Sequence, residues 1–150
     1  MVELLDQAAL RVRGDELPAA LSHEATLRLM AREVAAFLQM PDGAESLADD
    51  AWQRELAEPT YIGMGLAVPH ARVSGLEQPA LYMAYSRGGI PWPHEEAHFI
   101  ALLVVPLESP ELHLQLLARL VRWRRQLTEA EACALAESPD KLEDSLRADP

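Results

Sequence analysis

Cysteine, basic residues and long apolar runs are scarce in this sequence of 150 residues. The single cysteine, Cys133, excludes a disulfide framework within the chain and is typical of a reducing compartment. The longest apolar stretch, residues 99–107, contains a proline and is far too short to span a bilayer. The first residues do not read as a basic and apolar leader segment. We therefore expect a cytoplasmic protein that is not inserted in a membrane.

The shortage of basic residues leaves a strongly negative chain. Lysine and arginine number 13 against 24 acidic residues, which gives a formal net charge of −11. Such a charge argues against nucleic acid and anionic lipid as partners. The length and the hydrophobic content of 49% predict one globular domain over residues 1–150 with a substantial core.

Cap residues and apolar spacing predict five helices. Ser22 is expected to cap a helix over residues 23–38, and Ser46 a second one that runs to Leu56 and ends before Pro59. Ser109-Pro110 opens a helix over residues 111–124, and Thr128 and Pro139 open two shorter ones.

Apolar runs between these helices predict strands. Residues 81–86 and 98–105 are nearly all apolar, as in strands that are covered on both faces. Loops are expected at Gly88-Gly89 and at residues 91–93. Alternating strands and helices indicate an α/β fold with a single mixed sheet flanked by helices on both faces.

The segment from Gly63 to Arg72 is the most informative part of the chain. An apolar run that could be a short strand ends on Pro69, and His70 follows it directly. Gly63 and Gly65 permit tight or left-handed backbone, and Pro69 is expected to end strand pairing. This pattern presents an imidazole, which can act as a nucleophile, a proton carrier or a metal ligand.

Two further residues have both an ordinary and a functional interpretation. His113, in the first turn of a helix, is either a boundary histidine or a neutral imidazole beside an anion-binding helix start. Arg54, four residues after Asp50, forms either a surface ion pair or a bidentate fork for phosphate.

The residues His94-Glu95-Glu96-Ala97-His98 fit the H-E-x-x-H pattern of zinc proteases. That chemistry needs both histidines on one helix, whereas prolines precede this segment and a strand follows it. We therefore predict neither a metal nor a cofactor. A metal site that combines His70 or His113 with His94 or His98 stays open as a third hypothesis.

Residues 54–72 resemble the active-site region of enzyme IIA domains of the bacterial phosphotransferase system, of the fructose, mannitol and nitrogen-regulatory type. The matching residues are Arg54-Glu55, Thr60, Ile62-Gly63 and Gly65-Leu66-Ala67-Val68-Pro69-His70-Ala71. A second family feature, a helix with His-Leu-x-x-Leu, is present as His113-Leu114-Gln115-Leu116-Leu117. The resemblance covers about residues 16–146.

The resemblance implies a role for each of these residues. His70 would accept a phosphoryl group from the phosphocarrier protein HPr and pass it to a cysteine of a IIB domain. His113 would orient the phosphohistidine, and Arg54 would neutralise phosphoryl charge. Thr60, Gly63, Gly65 and Pro69 would support the loop.

The sequence departs from the family pattern at Tyr61 and Met64. Both positions lie in the loop that partner proteins would contact. An alternative function is therefore a IIA-like regulatory module, for example one that controls an ion transporter, with little or no phosphotransfer. Met64, Leu66 and Trp92 are candidates either for a docking surface or for the core.

Overall fold

A computed structural model describes residues 8–18 and 20–148 of the chain. Its elements are, in chain order, β1 (Ala9–Val12), α1 (His23–Phe37), α2 (Ala44–Ala57), β2 (Tyr61–Gly63), β3 (Leu66–Ala67), β4 (His70–Val73), β5 (Ala80–Trp92), β6 (Glu95–Pro106), α3 (Glu111–Gln126), α4 (Glu129–Leu135) and α5 (Pro139–Arg147). Within these ranges no helix combines the length and the apolar character that a bilayer span requires.

The strands form one mixed sheet in the order β1-β5-β6-β3-β2. The antiparallel pair β5–β6 is its centre, and β1 adds to β5 in parallel. On the other side, β3 and β4 both pair in parallel with successive parts of β6. The prediction of a single mixed sheet flanked by helices on both faces is confirmed.

Each face of the sheet is covered by its own helical layer. Along β5, Tyr82 and Ala84 pack into the layer that contains α1 and α2. The alternating residues Leu81 and Met83 pack into the layer of α3, α4 and α5. Because successive side chains of a strand point to opposite faces, burial on both sides explains the unbroken apolar runs.

Helix caps explain most of the helix starts. The Ser22 hydroxyl accepts the N–H of Ala25 at 3.0 Å, and Thr128 forms a capping box with Glu131. The prediction that Ser46 caps the second helix is wrong, because α2 already begins at Ala44. A 3-10 turn over Pro41–Gly43 leads directly into α2 and sets its start.

The predicted loops at Gly88-Gly89 and at residues 91–93 are also wrong for the most part. Strand β5 continues through both glycines to Trp92, and only residues 93 and 94 form the turn into β6. The register shifts between Tyr85 and Ile90, so the glycine pair marks a β-bulge inside a long hairpin. Glycines are typical of β-bulges as well as of loops, so the same residues can lie within a continuous strand.

Candidate functional site

His70 and His113 lie against each other at the edge of the sheet. His70 is the first residue of β4, and His113 lies in the first turn of α3. Their ring centroids are 3.9 Å apart, and the ring planes are inclined by 24°. The chain therefore brings together two histidines that are 43 positions apart in sequence (113 − 70).

Both imidazoles are held in their neutral form at pH 7. The pKa of His70 is lowered to about 4, chiefly by burial and then by electrostatic interactions with His113 and Arg54. Burial also lowers the pKa of His113, with the Arg72 charge as the next cause. A neutral imidazole carries one nitrogen with a lone pair, which a nucleophile requires.

The two ring nitrogens of His70 differ in burial. Its Nδ1 atom is buried and has no hydrogen-bond partner among the described residues. The side chain as a whole is only half-buried. The accessible part of the ring therefore lies away from Nδ1.

Asp50 connects the two arginines nearest the histidines. Its carboxylate accepts Nε of Arg54 at 3.0 Å and the backbone N–H of Arg72 at 3.0 Å. The Arg72 amide is on the side of β4 that faces away from β6, so Asp50 also covers the open edge of this strand. The surface ion pair predicted for Arg54 exists, but it lies beside the histidine pair.

Thr60 belongs to a buried network around Glu55 rather than to the histidine pair. The Glu55 carboxylate accepts the backbone N–H and the hydroxyl of Thr60, the latter at 2.6 Å. It also accepts Nε1–H of Trp92 at 2.7 Å and lies 2.9 Å from Nε2 of His23. Because Glu55 is in the last turn of α2, this network fixes the helix end that carries Arg54.

The two family glycines shape a tight turn before His70. Gly63 and Gly65 have φ values of +103° and +75°, the left-handed region that disfavours other residues. A Cβ atom at Gly65 would lie 3.3 Å from the His98 ring. Strand β3 ends at Ala67, before Pro69, as predicted, but pairing with β6 resumes at once, because the Pro69 carbonyl accepts the N–H of Leu103 at 2.9 Å.

The two departures from the family pattern, Tyr61 and Met64, both belong to this turn. The Tyr61 hydroxyl accepts the N–H of Gly65 at 2.9 Å, so the tyrosine braces the turn. Met64 has a φ of +53° and an exposed fraction of 43%. Leu66 and Trp92 are buried in the core, so only Met64 of the three docking candidates reaches the surface.

Arg124 is a supporting residue that the sequence did not reveal. It is 2% exposed, and its Nε donates to the Met64 carbonyl at 2.9 Å. A second guanidinium nitrogen reaches Glu129 at 2.7 Å. No local signal in the sequence distinguishes Arg124 from Arg122 and Arg125, because a helix dipole favours any basic residue near the C-terminal end of a helix.

The H-E-x-x-H segment lies away from any helix. His94 is in the turn between β5 and β6, and Glu95 to His98 begin β6. Nδ1 of His98 lies 2.9 Å from the Ser86 carbonyl. Among residues 8–18 and 20–148, no group of three or more histidine, cysteine and acidic side chains is arranged to hold a metal ion.

The curated proteins to which this chain is similar include components of the phosphotransferase system. The chain is 29% identical over 108 residues to the fructose-specific EIIA component of Haloferax volcanii, and the alignment covers 70% of each of the two chains. It is 27% identical over 129 residues to the 2-O-alpha-mannosyl-D-glycerate-specific EIIABC component of Escherichia coli. The second match spans 81% of this chain but only 19% of that larger protein.

Solved structures share the fold at lower identity. The nitrogen regulatory protein IIA-Ntr from Neisseria meningitidis superimposes with a TM-score of 0.72 at 17% identity and covers 93% of both chains. IIA mannitol from Escherichia coli gives a TM-score of 0.69 at 20% identity, covering 91% of this chain and 94% of that one. A complex of enzyme IIAMtl with phosphorylated enzyme IIBMtl, also from Escherichia coli, gives 0.65 at 15% identity, covering 93% and 94%.

The sequence model of one family matches nearly the whole chain. It is described as "Phosphoenolpyruvate-dependent sugar phosphotransferase system, EIIA 2" and aligns with residues 17–148. This range confirms the resemblance that the two histidine motifs carry. The chain therefore belongs to the EIIA type 2 family of the phosphoenolpyruvate-dependent sugar phosphotransferase system.

Proposed function

We propose that this protein is a phosphocarrier that accepts a phosphoryl group on His70 from an HPr-like protein and passes it to a cysteine of a IIB domain. The observation that carries the proposal is the stacked pair of neutral histidines, with ring centroids 3.9 Å apart. Membership of the EIIA type 2 family supports the same role. The solved complex of a similar IIA with a phosphorylated IIB supports a IIB partner.

The reacting atom in this proposal is Nε2 of His70. Nδ1 is buried, so Nε2 is the nitrogen that an incoming phosphoryl group can reach; the proposal therefore places the ring proton on Nδ1 and the lone pair on Nε2. This lone pair forms a bond to phosphorus while the bond from phosphorus to the donor imidazole breaks. The electron pair of the broken bond returns to the donor ring, and no further reactant is needed. Catalysis then depends on in-line positioning and on stabilisation of phosphoryl charge.

His113 and Arg54 supply the positioning and the charge in this proposal. His113 lies against the His70 ring and limits its orientation. Since His113 is also neutral, it can donate one ring N–H to a phosphoryl oxygen. Arg54 adds positive charge close enough to depress the pKa of His70, and the same charge attracts an incoming phosphoryl dianion.

Three exposed leucines lie on, or are hydrogen-bonded to, the elements that carry Arg54, His70 and His113. Leu56, Leu107 and Leu114 are 57%, 51% and 65% exposed. Leu56 follows Arg54 by two positions, and Leu114 is next to His113. The N–H of Leu107 donates to the carbonyl of Val73 at the end of β4. Exposed apolar side chains on these elements are candidates for contact with a protein partner.

Reconstitution tests this function directly. The protein is incubated with enzyme I, HPr and phosphoenolpyruvate, and its intact mass is measured at neutral or alkaline pH. We expect the mass of one added phosphoryl group, which a cysteine-containing IIB domain then removes. No uptake from several HPr proteins would contradict the phosphocarrier role and favour the regulatory alternative.

The pH dependence of the His70 ring gives an independent prediction. Its pKa of about 4 lies below the ordinary value of 6.5, so the unfolded chain binds the proton more readily than the folded protein. The contribution of His70 to stability is therefore complete above pH 6.5, declines as the pH falls and levels off below about 4. NMR titration of the histidine ring protons should give a His70 midpoint near 4. A midpoint near 6.5 would contradict a neutral, desolvated nucleophile.

A further inference from the structure

Arg72 is placed to reach the same phosphoryl group as His70. It follows His70 by two positions on β4, so both side chains project from the same face of the strand. The residues opposite them on β6 are Leu103 and Val105, which belong to the core layer beneath α3. This is the face on which α3 carries His113.

The Arg72 guanidinium has a hydrogen-bonding capacity that the protein leaves unused. Its Nε atom is buried and without a hydrogen-bond partner among the described residues. A buried donor without an acceptor is costly, and such donors are uncommon in folded proteins unless a ligand completes them.

Asp50 makes a side-chain contact with Arg54 but only a backbone contact with Arg72. It binds the side chain of Arg54 through Nε, at 3.0 and 3.2 Å from its two oxygens. It binds Arg72 only through the backbone N–H. The Arg54 side chain thus already has a carboxylate partner. Asp50 holds the backbone of Arg72, and the Arg72 guanidinium N–H groups stay available for another anion.

We infer that Arg72 is a second cationic ligand of the phosphoryl group on His70, in addition to Arg54. The inference rests on the proposed phosphocarrier function. In it, the Arg72 side chain rotates when the phosphoryl group is present, so that the buried Nε and one terminal nitrogen donate to two phosphoryl oxygens as a fork, without any change in covalent bonds. The positive charge of Arg72 also lowers the pKa of both histidines, which places it within electrostatic reach of each ring.

The test compares Arg72→Met with Arg72→Lys, Arg54→Met and a control, Arg87→Met. Arg87 is exposed and pairs with Glu16 at 2.9 Å, outside the histidine site. Equal circular dichroism spectra and urea midpoints establish that each variant is folded. Single-turnover transfer from phosphorylated HPr should be about 10- to 100-fold slower in Arg72→Met, less reduced in Arg72→Lys, also reduced in Arg54→Met, and unchanged in Arg87→Met. Equal rates for Arg72→Met and Arg87→Met would overturn the inference.

A second readout separates this inference from the proposed function. Inorganic phosphate is titrated into each unphosphorylated variant, and the ring signals of His70 and His113 are followed by NMR. Binding should be weaker in Arg72→Met than in Arg87→Met, whether or not HPr phosphorylates the protein. If the wild type accepts no phosphoryl group, the proposed function fails, and this titration decides the role of Arg72 alone. Equal phosphate affinity in both variants, or no measurable binding to the wild type, would refute that role.

Discussion

His70→Gln is expected to take up no phosphoryl group under conditions in which the wild type takes up one. The glutamine amide occupies about the same space as the outer half of the imidazole but offers no nucleophilic lone pair on nitrogen. Because the proposed N–P bond forms on Nε2 of His70, the other parts of the site cannot replace this atom. Intact mass at alkaline pH after incubation with enzyme I, HPr and phosphoenolpyruvate measures the outcome.

Two matched variants sharpen this experiment. His113→Gln keeps the acceptor and removes only its neighbour, so phosphorylation should still reach one group per chain, about a hundredfold more slowly. His94→Asn changes the histidine of the β5–β6 turn and should behave like the wild type. A phosphorylated His70→Gln protein, or a complete loss in His113→Gln alone, would reverse the roles of the two histidines.

Replacement of Glu55 should have the largest effect on stability. The carboxylate is fully buried and is contacted by His23, Thr60 and Trp92, from three different parts of the fold. Glu55→Ala leaves the donors of Thr60 and Trp92 without an acceptor in the interior. Loss of one member of a buried charged network costs about 3–5 kcal/mol. Urea unfolding at pH 7 should show this loss in the free energy of unfolding.

Glu55→Gln and Glu45→Gln are the controls for that measurement. The glutamine at position 55 keeps one acceptor oxygen, so we expect an intermediate loss of about 1–3 kcal/mol. Glu45 forms an exposed pair with Arg32, and its replacement should change the urea midpoint little. Equal midpoints for Glu55→Ala and Glu45→Gln would show that the Glu55 network does not hold the end of α2.

The same residue predicts a pH dependence with a definite sign. Burial by itself raises the pKa of Glu55, but the hydrogen bonds from His23 and Thr60 outweigh it and hold the pKa below its usual 4.5. A lowered pKa in the folded state stabilises the protein above 4.5, and this contribution is lost as the pH falls through the folded-state pKa. The stability difference between wild type and Glu55→Gln should therefore shrink in acid.

Local sequence patterns are sufficient to single out the segment that contains His70. Gly63, Gly65, Pro69 and His70 lie within eight residues, and His113 belongs to a short helical motif, so the local pattern singles out both histidines, whereas their proposed roles come from the family resemblance. The covered strands were equally visible, because burial on both faces leaves unbroken apolar runs. Strand β1 is not predictable from the sequence, because its four residues have mixed polarity. Only their parallel pairing with β5 shows that they form a strand.

The supporting contacts were not predictable because they join distant parts of the chain. Asp50 meets Arg72 across 22 positions, and Arg124 meets Met64 across 60. Glu55 is part of the family motif, but the motif does not indicate its hydrogen bonds to His23 and Trp92, which span 32 and 37 positions. Periodicity and capping rules describe neighbours in sequence and carry no information on such pairs.

The identity of the phosphorylated atom tests the central claim most directly. The protein is labelled with nitrogen-15 in its histidines, phosphorylated through HPr, and examined by long-range correlation of ring protons and nitrogens. We predict a nitrogen–phosphorus coupling at Nε2 of His70 and an unmodified ring at His113. A coupling at Nδ1 of His70, or at any other histidine, would contradict the arrangement in which Nδ1 is buried and Nε2 accepts the phosphoryl group.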